Sequence, residues 1–207
     1  MTRIFLLLAI ICLFPGCASL HKSQPAAVYD FGLQMPLSSE PLSQPIPLRK
    51  KSLLVADTTA PVWLDSRAIH YRLLYDNPTQ SYTYANNRWI ATPAALFTQQ
   101  LRNRIAAGTQ EQVIKDNSIA AADHVLLTEL EEFSQVFDTA TDSHIVAGLR
   151  ASLIERNTRK LLAQKDFNIT VKAPSADAAG AVSALSAASN QLLNELINWL
   201  ATALPRD

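Results

Sequence analysis

The sequence predicts an α+β domain: a mainly antiparallel sheet of about six or seven strands with two packed helices, the longer at the C-terminus. Three observations predict it. Residues 124–137, 143–155 and 160–172 alternate apolar and polar side chains, with turn residues between them. The stretches after Thr92 and after Ser175 repeat apolar residues at helical spacing behind a capping residue. The chain of 207 residues is 48% hydrophobic, which suits a single domain with a sizeable core.

The first residues stand apart from that domain. Arg3 precedes an unbroken apolar run from Ile4 to Phe14, too short to span a bilayer, and Gly16, Ala18 and Ser19 flank Cys17. This reads as a signal peptide over residues 1–16. Cys17 at the cleavage point resembles the lipobox cysteine of bacterial lipoproteins, which is acylated and becomes the first mature residue. Phe14 and Pro15 depart from the usual Leu and small residue of that motif; the alternative is an ordinary secreted protein cleaved nearby. The cysteine count favours lipidation. The two cysteines are Cys12 and Cys17; Cys12 would leave with the signal, so no internal disulfide can form. A lone free thiol would be odd in an exported protein, and a thioether-linked lipid removes the oddity. Each buried CH₂ of an acyl chain contributes about 0.8 kcal/mol, and stable anchoring takes more than one signal. Ala18, where Asp would resemble an inner-membrane retention signal, points to the periplasmic face of the outer membrane.

Residues 17–26 form a tether, and residues 27–207 form the domain. Five prolines between residues 21 and 51 predict extended or irregular chain. Within it, residues 28–33 alternate and read as a first strand. Residues 52–56 (SLLVA) read as a buried strand. Residues 68–75 and 81–84 read as a hairpin around Asp76-Asn77-Pro78, with Ile69, Tyr71 and Leu73 on one face and His70, Arg72 and Leu74 on the other. Thr92-Pro93 opens a helix as N-cap and first helical residue. Its apolar stripe is Leu96, Phe97, Leu101 and Ile105; Gln99, Gln100, Arg102 and Arg104 take the wet side, and Gly108 stops it. In the long strands, Leu130, Glu132 and Ser134 oppose Glu131, Phe133 and Gln135; Ile145, Ala147, Leu149, Ala151 and Leu153 point inward; and Phe167, Ile169 and Val171 do the same. Ser175 caps the last helix, with Asp177 in its first turn. Its stripe runs Val182, Leu185, Ala188, Leu192, Leu196, Trp199 and Ala203, widened by Leu193, Ile197 and Leu200. Interrupting serines and asparagines make it a helix that packs on a sheet, not one that spans a membrane.

Catalytic chemistry is hard to find. The four histidines, His21, His70, His124 and His144, have no metal-ligand spacing, and a cysteine zinc site is impossible. There is no nucleophile elbow and no phosphate-binding glycine loop among only five glycines. Ser19 and Lys22 match S-x-x-K, but in the tether. Glu129, Glu131 and Glu132 lie on one strand whose alternation separates neighbours, and a pairing of Glu131 with Asp142 would be coincidence. Neither enzyme activity, metal nor cofactor is expected. The formal charge of +0 argues against nucleic acid. Charged residues are 17% of the chain, a low share. Either a partner, a membrane or another copy covers some surface, or Ala, Ser, Thr and Asn supply it.

One ordered set of residues is more specific: Ala60-Pro61-Val62-Trp63-Leu64-Asp65, Ile69-His70-Tyr71-Arg72-Leu73, Tyr82 through Arg88-Trp89, then Pro93 and Leu96. With the lipoprotein signal it resembles the ABC-type transport auxiliary lipoprotein family, over most of the mature chain. The resemblance implies a non-catalytic partner of an ABC permease and its ATPase and of an MCE-domain protein that forms a tunnel across the periplasm, helping to move phospholipid or other apolar cargo. Beside it stands a physical reading. Aromatics and arginines gather between residues 63 and 89, types enriched where interfaces bury a few anchors. Trp63, Tyr71, Arg72, Tyr84, Arg88 and Trp89 are the candidate partner or cargo contacts; the alternative is that Tyr71 and Trp89 are core and the arginines are ion-paired or stacked. A ring of copies would suit the end of a tunnel. A lipid-binding carrier and an envelope assembly lipoprotein are the competing functions.

Overall fold

The computed structural model describes residues 25–32, 52–108, 112–115 and 122–205. The signal peptide, Cys17 and most of the tether therefore lie outside the described residues, as does Leu33 at the end of the expected first strand.

Among the described residues eight strands and two helices follow in chain order: β1 (Ala27–Tyr29), β2 (Ser52–Val55), β3 (Ala68–Leu73), β4 (Asn77–Trp89), α1 (Pro93–Gly108), β5 (Gln112–Lys115), β6 (His124–Phe137), β7 (Ser143–Glu155), β8 (Lys160–Lys172) and α2 (Ala178–Ala203). This is the expected α+β arrangement with the longer helix last. The three longest ladders, β3–β4, β6–β7 and β7–β8, are antiparallel. Four short ladders are parallel: β1–β4, β2–β5, β2–β6 and β3–β6.

β6 sits at the centre. One edge pairs with β7 along its whole length. The other edge takes two partners in succession: β2 at residues 124–126 and β3 at residues 134–137. Between them Thr59 bridges Glu129. A bulge interrupts the β6–β7 register between Leu130 and Glu132. The extra residue, Glu131, shifts the side-chain phase by one. Leu126, Thr128 and Leu130 face the core before it; Phe133, Gln135 and Phe137 do so after it. Strict alternation through Leu130, Glu132 and Ser134 is thereby corrected. On β7 and β8 the expected inward residues are inward, with Ile145, Ala147, Leu149, Ala151, Leu153 and Phe167 buried.

β1 is shorter than expected. The Gly32 amide donates to the Asp30 carboxylate (2.8 Å), and Gly32 adopts φ +83°, which turns the chain so that Phe31 enters the core. β5 and the outward extension of β4 carry no strong apolar alternation, so the sequence did not announce them.

Both helices pack their stripes as expected, but their polar sides differ. Thr92 caps α1: its hydroxyl accepts from the Ala95 amide (3.3 Å) and its carbonyl from Leu96. Leu96, Phe97, Leu101 and Ile105 are buried. Gln100 is buried as well, and Arg102 donates to the Val55 carbonyl (2.7 and 3.1 Å) while pairing with Asp57 (2.9 Å). Arg104 reaches the Asn190 and Asn194 side chains of α2 (2.6 Å each). The expected wet side of α1 is thus wedged between β2 and α2, and only Gln99 stands exposed among the four. α2 lies across β6, β7 and β8. Fully buried Ala147 and Ala151 on β7, with Ala181 and Ala188 on α2, let helix and sheet approach closely.

The cap of α2 is Asp177, not Ser175. The Asp177 carboxylate accepts the Gly180 amide (2.8 Å) and the Ser175 hydroxyl (2.7 Å), and these bonds hold its pKa below the usual carboxylate range. A Cβ on Gly180 would lie 2.1 Å from the Ser175 carbonyl oxygen. Gly180→Ala should therefore lower stability by about 2 kcal/mol, read as a fall in the urea midpoint at unchanged slope. An unchanged midpoint would show that the loop ahead of the helix gives way without cost.

Candidate partner-binding surface

The aromatics between residues 63 and 89 divide between the two faces of β3. Tyr71 points to the helix side. It stacks on Tyr82 (5.2 Å between ring centroids, 15° between planes) and packs on Tyr84 (4.7 Å) and Phe137 (5.7 Å). The Tyr84 hydroxyl donates to the Gln135 amide oxygen (2.5 Å). Gln135 is fully buried, and its amide nitrogen donates to the Ser143 hydroxyl (2.8 Å) and the Ser175 carbonyl (3.4 Å). Burial, helped by neighbouring Tyr71, pushes the Tyr84 phenol well above the ordinary tyrosine range, so it remains a donor. This network joins β4, β6, β7 and the start of α2. Tyr71 and Tyr84 are half-buried parts of it.

Trp89 is 1% exposed, packed edge-on to Phe31 (5.2 Å) and near Phe133 (6.0 Å). As a contact candidate it is corrected: the last residue of β4 faces the core because the preceding exposed Arg88 takes the outer side.

The opposite face of β3 presents Arg72 and His70 beneath the turn of residues 61–66. Trp63 remains 40% exposed with its ring edge-on to His70 (5.7 Å, 90°), and the Arg72 guanidinium lies 5.8 Å from its centroid. Val62 beside it is 94% exposed. The structure thus brings Trp63 and Arg72 together, joins Tyr71 to Tyr84, and leaves Arg88 apart near the sheet edge.

His70 is a residue that sequence reasoning passed over as one scattered histidine. Both ring nitrogens are buried without a hydrogen-bond partner among the described residues, and so is the hydroxyl of Ser134, its register neighbour on β6. Burial lowers the His70 pKa; Glu132 opposes and Arg72 reinforces that shift. Alternation placed His70 opposite Tyr71, but no local signal says that Trp63 would cover it.

A cleft of about 310 Å³ opens between α1 and residues 57–65. Asp57, Asp65, Thr58, Thr98 and Arg102 line it together with Ala94 and Ala95, a wall that mixes charged and hydroxyl groups with apolar surface. Among the described residues no helix is long and apolar enough to cross a membrane.

Two outcomes distinguish the faces. Trp89→Ala should cost about 3–5 kcal/mol, as a core deletion does, whereas Trp63→Ala should cost less than about 1 kcal/mol; urea titration of both variants checks this. Lowered in the folded state, His70 stays neutral while the unfolded chain takes up its proton near pH 6.5. Its contribution is therefore present above that pH and is lost as pH falls towards the folded pKa. His70→Phe should flatten the decline of the urea midpoint from pH 7 to 5; an unchanged decline would assign it to other groups.

Known proteins share the fold and show the family. The family model described as ABC-type transport auxiliary lipoprotein component matches residues 33–197. A protein of the DUF330 family from Xanthomonas campestris is 18% identical with a TM-score of 0.71, over 86% of this chain and 96% of that one. An uncharacterized protein is 14% identical with a TM-score of 0.63, over 86% and 99%. A hypothetical protein from Chlamydia trachomatis is 12% identical with a TM-score of 0.51, over 72% and 95%. These likenesses are of fold. No curated protein matches the chain. The chain belongs to the ABC-type transport auxiliary lipoprotein family, whose name makes it an auxiliary partner of an ABC transporter at a membrane of the cell envelope.

Proposed function

We propose that this protein is the non-catalytic, lipid-anchored periplasmic subunit of an MCE-type ABC transport system. Cys17 carries the acyl chains on the periplasmic face of the outer membrane, and the domain receives the MCE tunnel there while phospholipid or other apolar cargo passes between the membranes. The observation that carries a binding role is the turn of residues 61–66. An exposed tryptophan beside a fully exposed valine, with a guanidinium against its ring, is the kind of anchor that interfaces bury. Open strand edges are available to a further copy: the edge of β8 away from β7, and the edge of β4 away from β3 at residues 77–86, where no strand among the described residues pairs. We include a ring of copies in the proposal on that ground.

Crosslinking in intact cells, followed by affinity purification from detergent-solubilised membranes, tests it. Wild type should bring down an MCE-domain protein and its permease. Cys17→Ala should leave the membrane fraction. Trp63→Asp should stay anchored but lose the partners at least tenfold, since an interface anchor carries more than about 1.4 kcal/mol. Stoichiometric lipid with no such partner would replace this reading by the carrier one.

A further inference from the structure

The described fold begins close to the proposed anchor. Ala27, the first residue of β1, is ten residues after Cys17, and ten residues reach at most about 36 Å. The edge of the sheet that carries β1 therefore stays within that distance of the leaflet holding the acyl chains.

That edge has a distinct surface chemistry. Val28 pairs in register with Arg88, and Arg88 with Ala68 across β4 and β3, so Val28 and Arg88 share the side opposite Trp89. Val28 is 47% exposed, and Arg88 is exposed. Just beyond β4, Ile90 is 57% exposed; its amide donates to the Tyr29 carbonyl, and its own carbonyl accepts from Arg67 (3.5 Å). Two branched apolar side chains and two guanidiniums thus surround the point where the tether enters the sheet. Among the described residues no carboxylate pairs with either arginine. The nearby Asp30 accepts the Gly32 amide instead.

We propose that Val28, Ile90, Arg67 and Arg88 form a lipid-surface contact that seats the domain on anionic phospholipid headgroups of its own membrane. The inference rests on the anchored reading above. Guanidinium groups match phosphate in charge and geometry. Isoleucine and valine enter the headgroup boundary beside them. A basic and apolar patch beside acyl chains also follows the rule that firm membrane attachment combines two signals. Seated in this way, the domain holds the Trp63 turn near the membrane plane, because Trp63 covers His70, two residues along β3 from Ala68. A partner that reaches the leaflet meets that turn.

The test uses the full lipidated mature protein in vesicles of phosphatidylcholine and phosphatidylglycerol. Because acylation consumes Cys17 and the signal carries away Cys12, Ile90→Cys gives one free thiol for a nitroxide label. Leu161→Cys on β8, also exposed, is the control. The Ile90 label should become severalfold less accessible to a water-soluble paramagnetic relaxer in these vesicles than in detergent, and the Leu161 label should not. Arg67→Glu with Arg88→Glu should restore accessibility while the protein stays on the vesicles and its unfolding midpoint is unchanged. Equal accessibility of both labels on vesicle-bound protein overturns the contact but leaves the anchored reading intact. Equal protection in pure phosphatidylcholine overturns headgroup recognition. Protection seen only when a transport partner is added makes the patch a protein interface and overturns the proposal. Mass spectrometry that finds no acyl chain on Cys17 overturns the anchored reading itself.

Discussion

The ladder along β6 is the constraint on which the rest of the structure depends. With β7 it forms an antiparallel pair that fixes which side chains meet α2. On its other edge the chain from β2 to β3 runs parallel to β6 as one interrupted strand. The interruption, residues 60–67, stands alongside the Glu131 bulge. Register is lost there on one side of β6 and the neighbouring chain loops out on the other. The exposed turn that carries Val62 and Trp63 is the loop so formed. The irregularity in the central strand thus lies beside the loop that presents Val62, the most exposed large apolar side chain among the described residues, with Trp63 next to it.

A second link runs through polar groups inside the core. Gln135 is buried on the helix side, where an amide would be costly without partners. Tyr84, Ser143 and the Ser175 carbonyl supply them. Ser175 in turn donates to Asp177, which caps α2. The hairpin of β3 and β4 is therefore tied to the start of the C-terminal helix by hydrogen bonds whose geometry is specific, beyond the non-directional packing of leucines and alanines. Such networks select one arrangement of a core when every member is satisfied. His70 and Ser134, on the other face of the sheet, are the counterexample: buried and without hydrogen-bond partners among the described residues.

Much of the fold was legible because long amphipathic periods carry strong local signals. The inward residues of β7 and β8 and the stripes of both helices follow directly from spacing. The bulge was not legible: Leu130, Glu131, Glu132 and Phe133 contain no glycine or other residue that marks an insertion. The cap of α2 slipped by two residues because Ser175 and Asp177 both suit an N-cap, and only the tight passage at Gly180 distinguishes them. The surface was partly legible. Residue type located a group of aromatics and arginines, but composition cannot say which neighbour covers which. Trp89 and Trp63 look alike as letters; one is packed on Phe31 and the other crosses His70 in the open.

The ladder that joins the N-terminal segment to the sheet is short. β1 meets β4 through three register pairs, Ala27 with Asn87, Val28 with Arg88 and Tyr29 with Trp89, whereas β7 and β8 share twelve. A pull transmitted through the tether reaches those three pairs before any other part of the sheet. Under tension on an anchored tether those three pairs would be the first to yield: β1 would detach and draw Phe31 from the core while the longer ladders around β6 stayed closed. Displacement between a membrane and a bound partner would then be absorbed at the edge of the domain, as extra tether length, without unfolding its centre.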